Sequence, residues 1–308
     1  MGGSTRSNGR RCAFLTLNDP TGYVIDDDLA IAPLAELGWA VDVVPWDRPG
    51  VRWQDYAIVV IRSTWDYYDR PEQFLAALAE IDASGTLLEN RLPLVRWNLR
   101  KTYLRELAAR GVPIAPTLWR ERLQPGELAS LFAELGADQA VIKPVVGAGA
   151  SGAWRLDRTS LRRQAVAIED YYSDRPLLLQ PFADAILTEG EYSLFWFDGH
   201  YSHAIVKLPQ AGDFRVQEEH GGDIRAVEPE SSLRAAAATT LAALGETPLY
   251  LRADFVRSND GRNWWLMELE LVEPSLYLRM HAAAPRAFAA AVVERAGGGL
   301  SSPFGPPY

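Results

Sequence analysis

Residues 250–275 read YLRADFVRSNDGRNWWLMELELVEPS, and the alternation within this stretch decides the fold. Successive side chains of a β-strand point to opposite faces, so residues two apart share one. Arg252 and Asp254 therefore lie together, backed by Leu251, Ala253 and Phe255. Glu268 and Glu270 likewise share a face, opposite Met267, Leu269 and Leu271, and Glu273 follows them. The intervening Asn259-Asp260-Gly261 is a hairpin signal. A turn centred on Gly261 sets Asp254 opposite Glu268 and Arg252 opposite Glu270. Two carboxylates facing each other across a ladder destabilise it. At about 4 Å and an effective dielectric near 20 they repel by about 4 kcal/mol. A bound divalent cation reverses the sign, and oxygen-only ligands favour magnesium completed by water and phosphate. The same spacing also suits a solvated face carrying a surface salt bridge.

Upstream, residues 11–95 read as an α/β unit. CAFLTL, WAVDVVPW, YAIVVIR and TLLEN are strands, and 26–37 and RPEQFLAALAEIDASG are helices. Pro71 in the first turn of the second helix is well placed. Near-continuous apolar runs suit parallel strands buried on both faces, and ligands in such sheets sit at the carboxyl ends of the strands. YAIVVIR runs directly into Arg62-Ser63-Thr64-Trp65-Asp66, a segment dense in hydrogen-bonding groups and a candidate substrate loop. An ordinary loop anchored by Trp65 and Tyr67 is the alternative. Asn98 is expected to start a helix closed by Gly111. A domain boundary is expected near 95, after a disordered extension at 1–10. Further on come strand TLW, helix PGELASLFAELG, strands AVIKPVV and AWRL, helix SLRRQAVAIEDYY and strand LLLQPF. A long hairpin then turns at Asp198-Gly199.

Gly147, Gly149 and Gly152 spell G-x-G-x-x-G. A dinucleotide fold needs a helix directly after that pattern, and AWRL reads as a strand instead. A glycine loop between antiparallel strands acts as a flap whose N–H groups approach phosphate, with Lys143 on the incoming strand. A flexible turn without a ligand is the plain alternative.

These motifs together resemble the ATP-grasp superfamily in its glutathione-synthetase-like branch, over roughly 96–280. The resemblance implies an α/β fold, α+β in its C-terminal part. The ATP-grasp domain would span 96–300, with a nucleotide flap lobe at about 112–180 and a metal-binding lobe at about 181–300. Residues 11–95 would form a parallel-sheet pre-ATP-grasp substrate domain. By the same resemblance Lys101, Lys143, Gly147, Gly149, Ser151, Gly152, Gln180, Pro181, Phe182 and Glu191 bind ATP. Gln180-Pro181-Phe182 is the adenine hinge, and Glu191 holds the ribose. Asp254, Glu268 and Glu270 hold Mg2+, or alternatively Mn2+, although Glu270 stands where the family usually has asparagine. Arg215 and Arg252 are the catalytic cations. The whole chain is similar to the family of the O-ureido-serine cyclo-ligase of cycloserine biosynthesis, with Arg62, Ser63, Thr64, Trp65 and Asp66 at the substrate. The implied reaction converts an amino-acid-like carboxylate to an acyl phosphate, and a nitrogen of the same molecule then displaces phosphate. Joining two molecules, as in peptide or glutathione synthesis, is the alternative within the class, and a nucleotide-binding protein without turnover is the alternative outside it. A homodimer is implied by the family.

The 308 residues, 48% hydrophobic and 23% charged, suit a soluble globular protein. A net charge of -9 argues against a nucleic-acid footprint. No run of about 20 apolar residues spans a membrane. The single cysteine, Cys12, excludes an internal disulfide and points to a reducing, cytoplasmic setting. The four histidines have no metal-ligand spacing, and only His220 is a candidate base. Lys207 reads equally as a phosphate contact or a strand surface residue. Glu268→Ala is expected to abolish ADP release while leaving the circular dichroism spectrum intact. Unchanged turnover removes the metal assignment.

Overall fold

The computed structural model describes residues 10–147 and 152–297. The expected extension, save Arg10, lies outside them, as do Gly149 and Ser151. The N-terminal part runs β1 (Arg11–Thr16), α1 (Ile31–Glu36), β2 (Ala40–Pro45), β3 (Ile58–Ser63), α2 (Pro71–Ala83) and β4 (Leu87–Glu89). The strands form a parallel sheet in the order β2-β1-β3-β4. β3 is buried along its whole length, as its unbroken apolar run requires. The helix expected over 26–37 is divided: a 3-10 turn, Asp27–Ala30, precedes α1. Pro33, which cannot donate an amide, is tolerated only near a helix start.

α3 (Leu92–Asn98) and α4 (Tyr103–Ala109) follow. Asn98 therefore ends a helix rather than starting one. Its amide side chain is taken up elsewhere, donating to Leu269 O at 2.7 Å and accepting from Leu271 N at 2.8 Å. The next lobe contains β5 (Leu118–Arg120), α5 (Glu127–Leu135), β6 (Gln139–Pro144), β7 (Trp154–Asp157), α6 (Arg158–Tyr171) and β8 (Leu177–Pro181). Its antiparallel sheet, β5-β8-β6-β7, packs on α5 and α6 around its own core of Leu128, Leu131, Ile142, Ile168 and Leu179.

The last part holds β9 (Glu191–Phe197), β10 (His200–Leu208), β11 (Asp223–Val227), α7 (Ser231–Leu244), β12 (Tyr250–Arg257), β13 (Trp264–Glu270) and α8 (Ala284–Arg295). The sheet order is β11-β10-β9-β12-β13, antiparallel throughout. β11, α7 and α8 were not legible in sequence. β11 has an exposed, charge-interrupted pattern, and the two helices are alanine-rich with little contrast between their faces. α8 packs between the first sheet and this one. Cys12, Phe14 and Val60 share a core with Phe195, Phe197, Tyr250 and Phe288, so residues on either side of the expected boundary near 95 are bound into one hydrophobic unit. No helix among the described residues is long and apolar enough to cross a membrane.

Side chains sew these units together where strands end. Asn90 donates to Tyr250 O at 2.9 Å and Leu271 O at 2.6 Å and accepts from Leu249 N at 2.8 Å. The Tyr250 hydroxyl donates to Ile61 O at 2.7 Å or Val272 O at 2.8 Å. Asn90 is fully buried. Its loss strands three backbone groups at about 1–3 kcal/mol each. Asn90→Ala is therefore expected to destabilise the protein by about 3 kcal/mol or more, read as a lowered urea midpoint. A wild-type midpoint would show that these bonds do not hold the units together.

Candidate active site

β12 and β13 build the centre of the site. Arg252 pairs with Glu270 and Asp254 with Glu268, as the sequence alternation implies. The route to that register differs from simple alternation. Next to the turn, Arg257 pairs with Trp264 and Phe255 with Leu266, and the register shifts by one between Asp254 and Phe255. Met267 is the extra residue of a bulge. Trp264, Leu266, Leu269 and Leu271 all lie in one core, which strict alternation from 264 to 271 cannot deliver. Met267 and Glu268 instead both line the cavity, correcting the expectation that Met267 backs the strand. Bulges re-aim side chains in this way. Without this one, Glu268 and Glu270 would face the core.

The cavity, of about 450 Å³, lies between the central sheet, the second lobe and the N-terminal unit. Its carboxylates are matched by cations of the chain. Arg252 Nη2 donates to Asp254 Oδ2 at 3.0 Å and Nε to Oδ1 at 3.0 Å, and Nη2 also contacts Glu270. Lys207 Nζ sits 2.7 Å from Glu191 Oε1 and 3.5 Å from Asp254 Oδ1. The Ser193 hydroxyl donates to Asp254 as well. Lys101 Nζ lies 2.6 Å from Glu268 Oε1 and donates to Gly147 O at 2.8 Å. Lys207 is thus no surface residue. Buried at 3% exposure, it belongs to the site, and its apolar neighbours in the strand hid it.

The titration of these groups follows from burial set against partners. Burial alone would raise Asp254, but Arg252 and Lys207 outweigh it and hold the carboxyl below its ordinary value. Burial opposes ionisation of Glu268 too, and Lys101 with Lys143 overcomes it. For Glu191 burial wins over Lys207, and its pKa is raised. Burial pushes Glu270 up to about 7 against the pull of Arg252, with Asp254 and Glu268 adding to the rise. Glu273, buried beside Glu270, is pushed up to about 8. Burial, helped by Lys101, lowers Lys143.

Lys143, Gly147, Gln180, Pro181, Phe182, Glu191 and Arg215 all line the cavity with Lys101. Gln180 donates to Thr117 Oγ1 at 2.9 Å, so its side chain is fixed, and the main chain runs along the cavity edge. Arg155 lies over the Phe182 ring at 3.9 Å, which fixes that ring. Arg215 pairs with Asp213 at 2.7 Å and keeps 41% of its side-chain surface open. Gly152 has φ +69°, and a Cβ there would fall 2.4 Å from the Tyr171 hydroxyl. That glycine is required by ring packing as well as by backbone conformation. Gly149 and Ser151 lie outside the described residues.

Of the expected substrate loop, only Trp65 reaches the cavity. Arg62 is 1% exposed and pairs with Asp27 at 2.9 Å, donates to Pro274 O at 2.8 Å and stacks on Tyr250. It clamps the N-terminal sheet to the segment after β13. Ser63 shares a hydrogen bond with Thr16 Oγ1 at 3.0 Å, and Thr64 is fully buried. Asp66 accepts from Trp46 Nε1 and pairs with Arg70, each at 2.7 Å. The hydrogen-bonding density that marked this loop serves packing. Tyr23 and Tyr277, which the sequence reading left aside, line the cavity together with Tyr67, read there as an anchor, and Glu273, read there only as following the metal pair.

Whether the acids suit a magnesium ion turns on what already holds them. Glu268 and Glu270 present oxygen donors to the cavity and keep 32% and 29% of their side chains open. Asp254 is only 2% exposed and enclosed by Arg252, Lys207 and Ser193. Among the described residues no three acids or histidines converge as a ready metal cage. The donor chemistry fits at the two glutamates, whereas Asp254 needs to shed a partner first.

Comparison with known proteins places this geometry. A family model for the N-terminal domain of D-cycloserine synthetase DcsG matches residues 12–90. The chain is 34% identical over 302 residues to the cycloserine biosynthesis protein DcsG of Streptomyces lavendulae, covering 91% of this chain and 97% of that one. The crystal structure of D-cycloserine synthetase DcsG matches with TM-score 0.80 and 33% identity, over 93% of this chain and 99% of that one. The ATP-grasp ligase PsnB, solved with a phosphomimetic precursor variant, Mg and ADP, shares the fold at TM-score 0.65 and 17% identity, over 94% of this chain and 99% of that one.

A carboxyl whose pKa is raised by folding adds stability fully present below its unfolded value, and that stability is lost as pH rises through the folded value. For Glu270 and Glu273 that window runs from their ordinary carboxyl range to about 7 and about 8. Glu273→Gln, which cannot ionise, is expected to gain melting temperature over wild type progressively between pH 5 and 9. Parallel melting curves across that range would refute the raised carboxyl.

Proposed function

The chain belongs to the D-cycloserine synthetase family of ATP-grasp ligases, and we propose that it closes a ring within one amino-acid-like substrate of the O-ureido-serine type. It is an ATP-dependent, ADP-forming carboxylate–amine ligase. The observation that carries the finer reading is the bulged register of β12 and β13. It turns Arg252, Glu268 and Glu270 toward one cavity between the lysines and the aromatic residues of the N-terminal unit.

In this reading the hinge at Gln180–Phe182 takes the adenine and Glu191 the ribose. Lys101 and Lys143 receive the phosphates, Lys101 exchanging Glu268 for a phosphate oxygen. Lys143, held at lowered pKa by its burial with Glu268 acting on it through space, gains an anion in direct contact when phosphate arrives. Glu268 and Glu270, with Asp254 once it is released, would hold magnesium, which would supply charge neutralisation to the reacting phosphate. Manganese shares the preference for oxygen ligands and is the substitute metal. Arg252, oriented by its two-point contact with Asp254, faces the charge that builds on the acyl phosphate and on the tetrahedral carbon formed from it. Preorganised donors of this kind need no rearrangement at the moment of reaction. Arg215, on the lip of the cavity, adds a second cation from the exposed side. No nucleophile of the chain is required, since positioning and charge stabilisation dominate phosphoryl transfer. A cytoplasmic homodimer accompanies the reading.

Incubation with ATP, magnesium and O-ureido-serine, without a second amine, is expected to release ADP and yield a ring-closed product by mass spectrometry. ADP release that depends on an added amine would move the enzyme to the intermolecular class. Lys143→Met is expected to weaken ATP binding by about 10–100-fold, as loss of a charge-assisted contact does, measured by calorimetry. Unaltered affinity would remove Lys143 from the nucleotide.

A further inference from the structure

Every carboxylate on the cavity-facing strands has a cation of the chain beside it. Asp254 and Glu270 have Arg252, Glu191 has Lys207, and Glu268 has Lys101. Glu273, which lines the same cavity just beyond β13, is different. Among the described residues it enters no ion pair, and the Tyr67 hydroxyl and, through space, Lys101 are the groups that favour its charged form. Half-buried in the cleft wall, it is a carboxylate partly withdrawn from water without an ion-pair partner, which is costly, and nothing in the nucleotide chemistry above employs this one.

Its surroundings are built and rigid. Trp65 Nε1 donates to the Glu273 main-chain oxygen at 2.8 Å. The Trp65 ring lies against Tyr23 at 5.1 Å between centroids. Tyr67 stacks on Phe74 at 4.5 Å, which fixes its hydroxyl in place. Tyr23, Trp65 and Tyr67 all line the cavity. A carboxylate framed by aromatic faces is the chemistry that receives an ammonium group: an opposite charge, an acceptor for its N–H, and π-faces that attract cations. The aromatic residues come from the N-terminal unit and the acid from the C-terminal one, so the pocket exists only at their junction.

We propose that Glu273, framed by Tyr67, Trp65 and Tyr23, receives the α-ammonium group of the substrate, whose reacting carboxyl lies toward Arg252. The inference rests on the ligase reading and adds to it the residue that holds the ammonium end of its amino-acid substrate. Glu273 is then a binding residue that selects substrate and takes no part in phosphate chemistry.

The test pairs O-ureido-serine with its counterpart lacking the amine, 3-(ureidooxy)propanoic acid, in ADP-release assays on wild type and Glu273→Gln. The wall survives this substitution, because Trp65 binds the main chain and Tyr67 is held by its stacking on Phe74. Wild type is expected to favour the amine-bearing acid by about 100-fold or more in kcat/KM, since a site built for a polar group rejects the analogue lacking it. In Glu273→Gln that preference is expected to collapse, through a raised KM for the amine-bearing acid, with the KM for ATP unchanged. Equal use of both acids by wild type overturns the inference, as does equal loss of both in the variant. Absence of ADP release with either acid in wild type overturns the ring-closing reading, and with it the inference. Calorimetric titration of each acid distinguishes loss of recognition from loss of turnover.

Discussion

Charge matching inside an enclosed cleft is the constraint on which this structure depends. Taking carboxylates and ammonium groups out of water costs several kcal/mol per ion, and mutual attraction repays this only when geometry is good. Here four acids, Glu191, Asp254, Glu268 and Glu270, lie against three cations, Lys101, Lys207 and Arg252. The partners come from different elements: α4's leading turn, β9, β10, β12 and β13. A slip of one strand by one residue would strand a charge in the core face. The main chain is accordingly fixed by bonds that do not depend on the charges. Asn98 bridges Leu269 and Leu271, and the Tyr103 hydroxyl accepts from Leu269 N at 2.8 Å. β13 is an edge strand, and these side chains stand in for the neighbour it lacks.

Much of this was legible in residues 250–275. The Asn-Asp-Gly turn and the period of two gave the pairing of Arg252 with Glu270 and Asp254 with Glu268, and the structure has that pairing. The bulge at Met267 was not legible. Met267 is apolar and fits an alternating pattern on either side of the strand, so composition carries no sign of it. A sharper clue lay in Trp264 and Leu266, which have the parity of Glu268. Both cannot be core and share a face with glutamate unless the strand gains a residue. Position by position, the hydrophobic pattern encoded a break that pairwise spacing alone conceals.

The loop after β3 shows the opposite failure. Arg62, Ser63, Thr64, Trp65 and Asp66 present the same hydrogen-bonding inventory whether they meet a ligand or the protein. What separates the two cases is what lies across from them, and that is set by residues about 35 and 210 positions away, Asp27 and Pro274. Only tertiary contact reveals that Arg62 is a clamp. The aromatic residues around it had the reverse fate: Tyr67 reads as an anchor in sequence, and its ring does stack on Phe74, yet the residue also lines the cavity. The fold class fared better, because alternating strands and helices at 11–95 and antiparallel hairpins beyond are statements about period, which short-range sequence contains.

The internal ion pairs also bear on how the site accepts its charged ligands. A nucleotide entering an unpaired cluster of lysines would meet cations still bearing most of their hydration, and stripping it would oppose binding. Here the desolvation of Lys101 has already been met during folding, with Glu268 as its counter-ion. In the proposed reading phosphate entry is an exchange of one anion for another at the same ammonium, and the released glutamate is left to seek a cation in turn. The cost of burying the charges is common to both states and cancels from the comparison. What remains is the difference between two sets of contacts, so a modest advantage in geometry suffices to drive the exchange. Glu273 lies outside this arrangement because, among the described residues, it enters no ion pair, and Lys101 acts on it only through space. In the proposed reading its counter-ion comes from the ligand, and this acid registers the substrate's own charge.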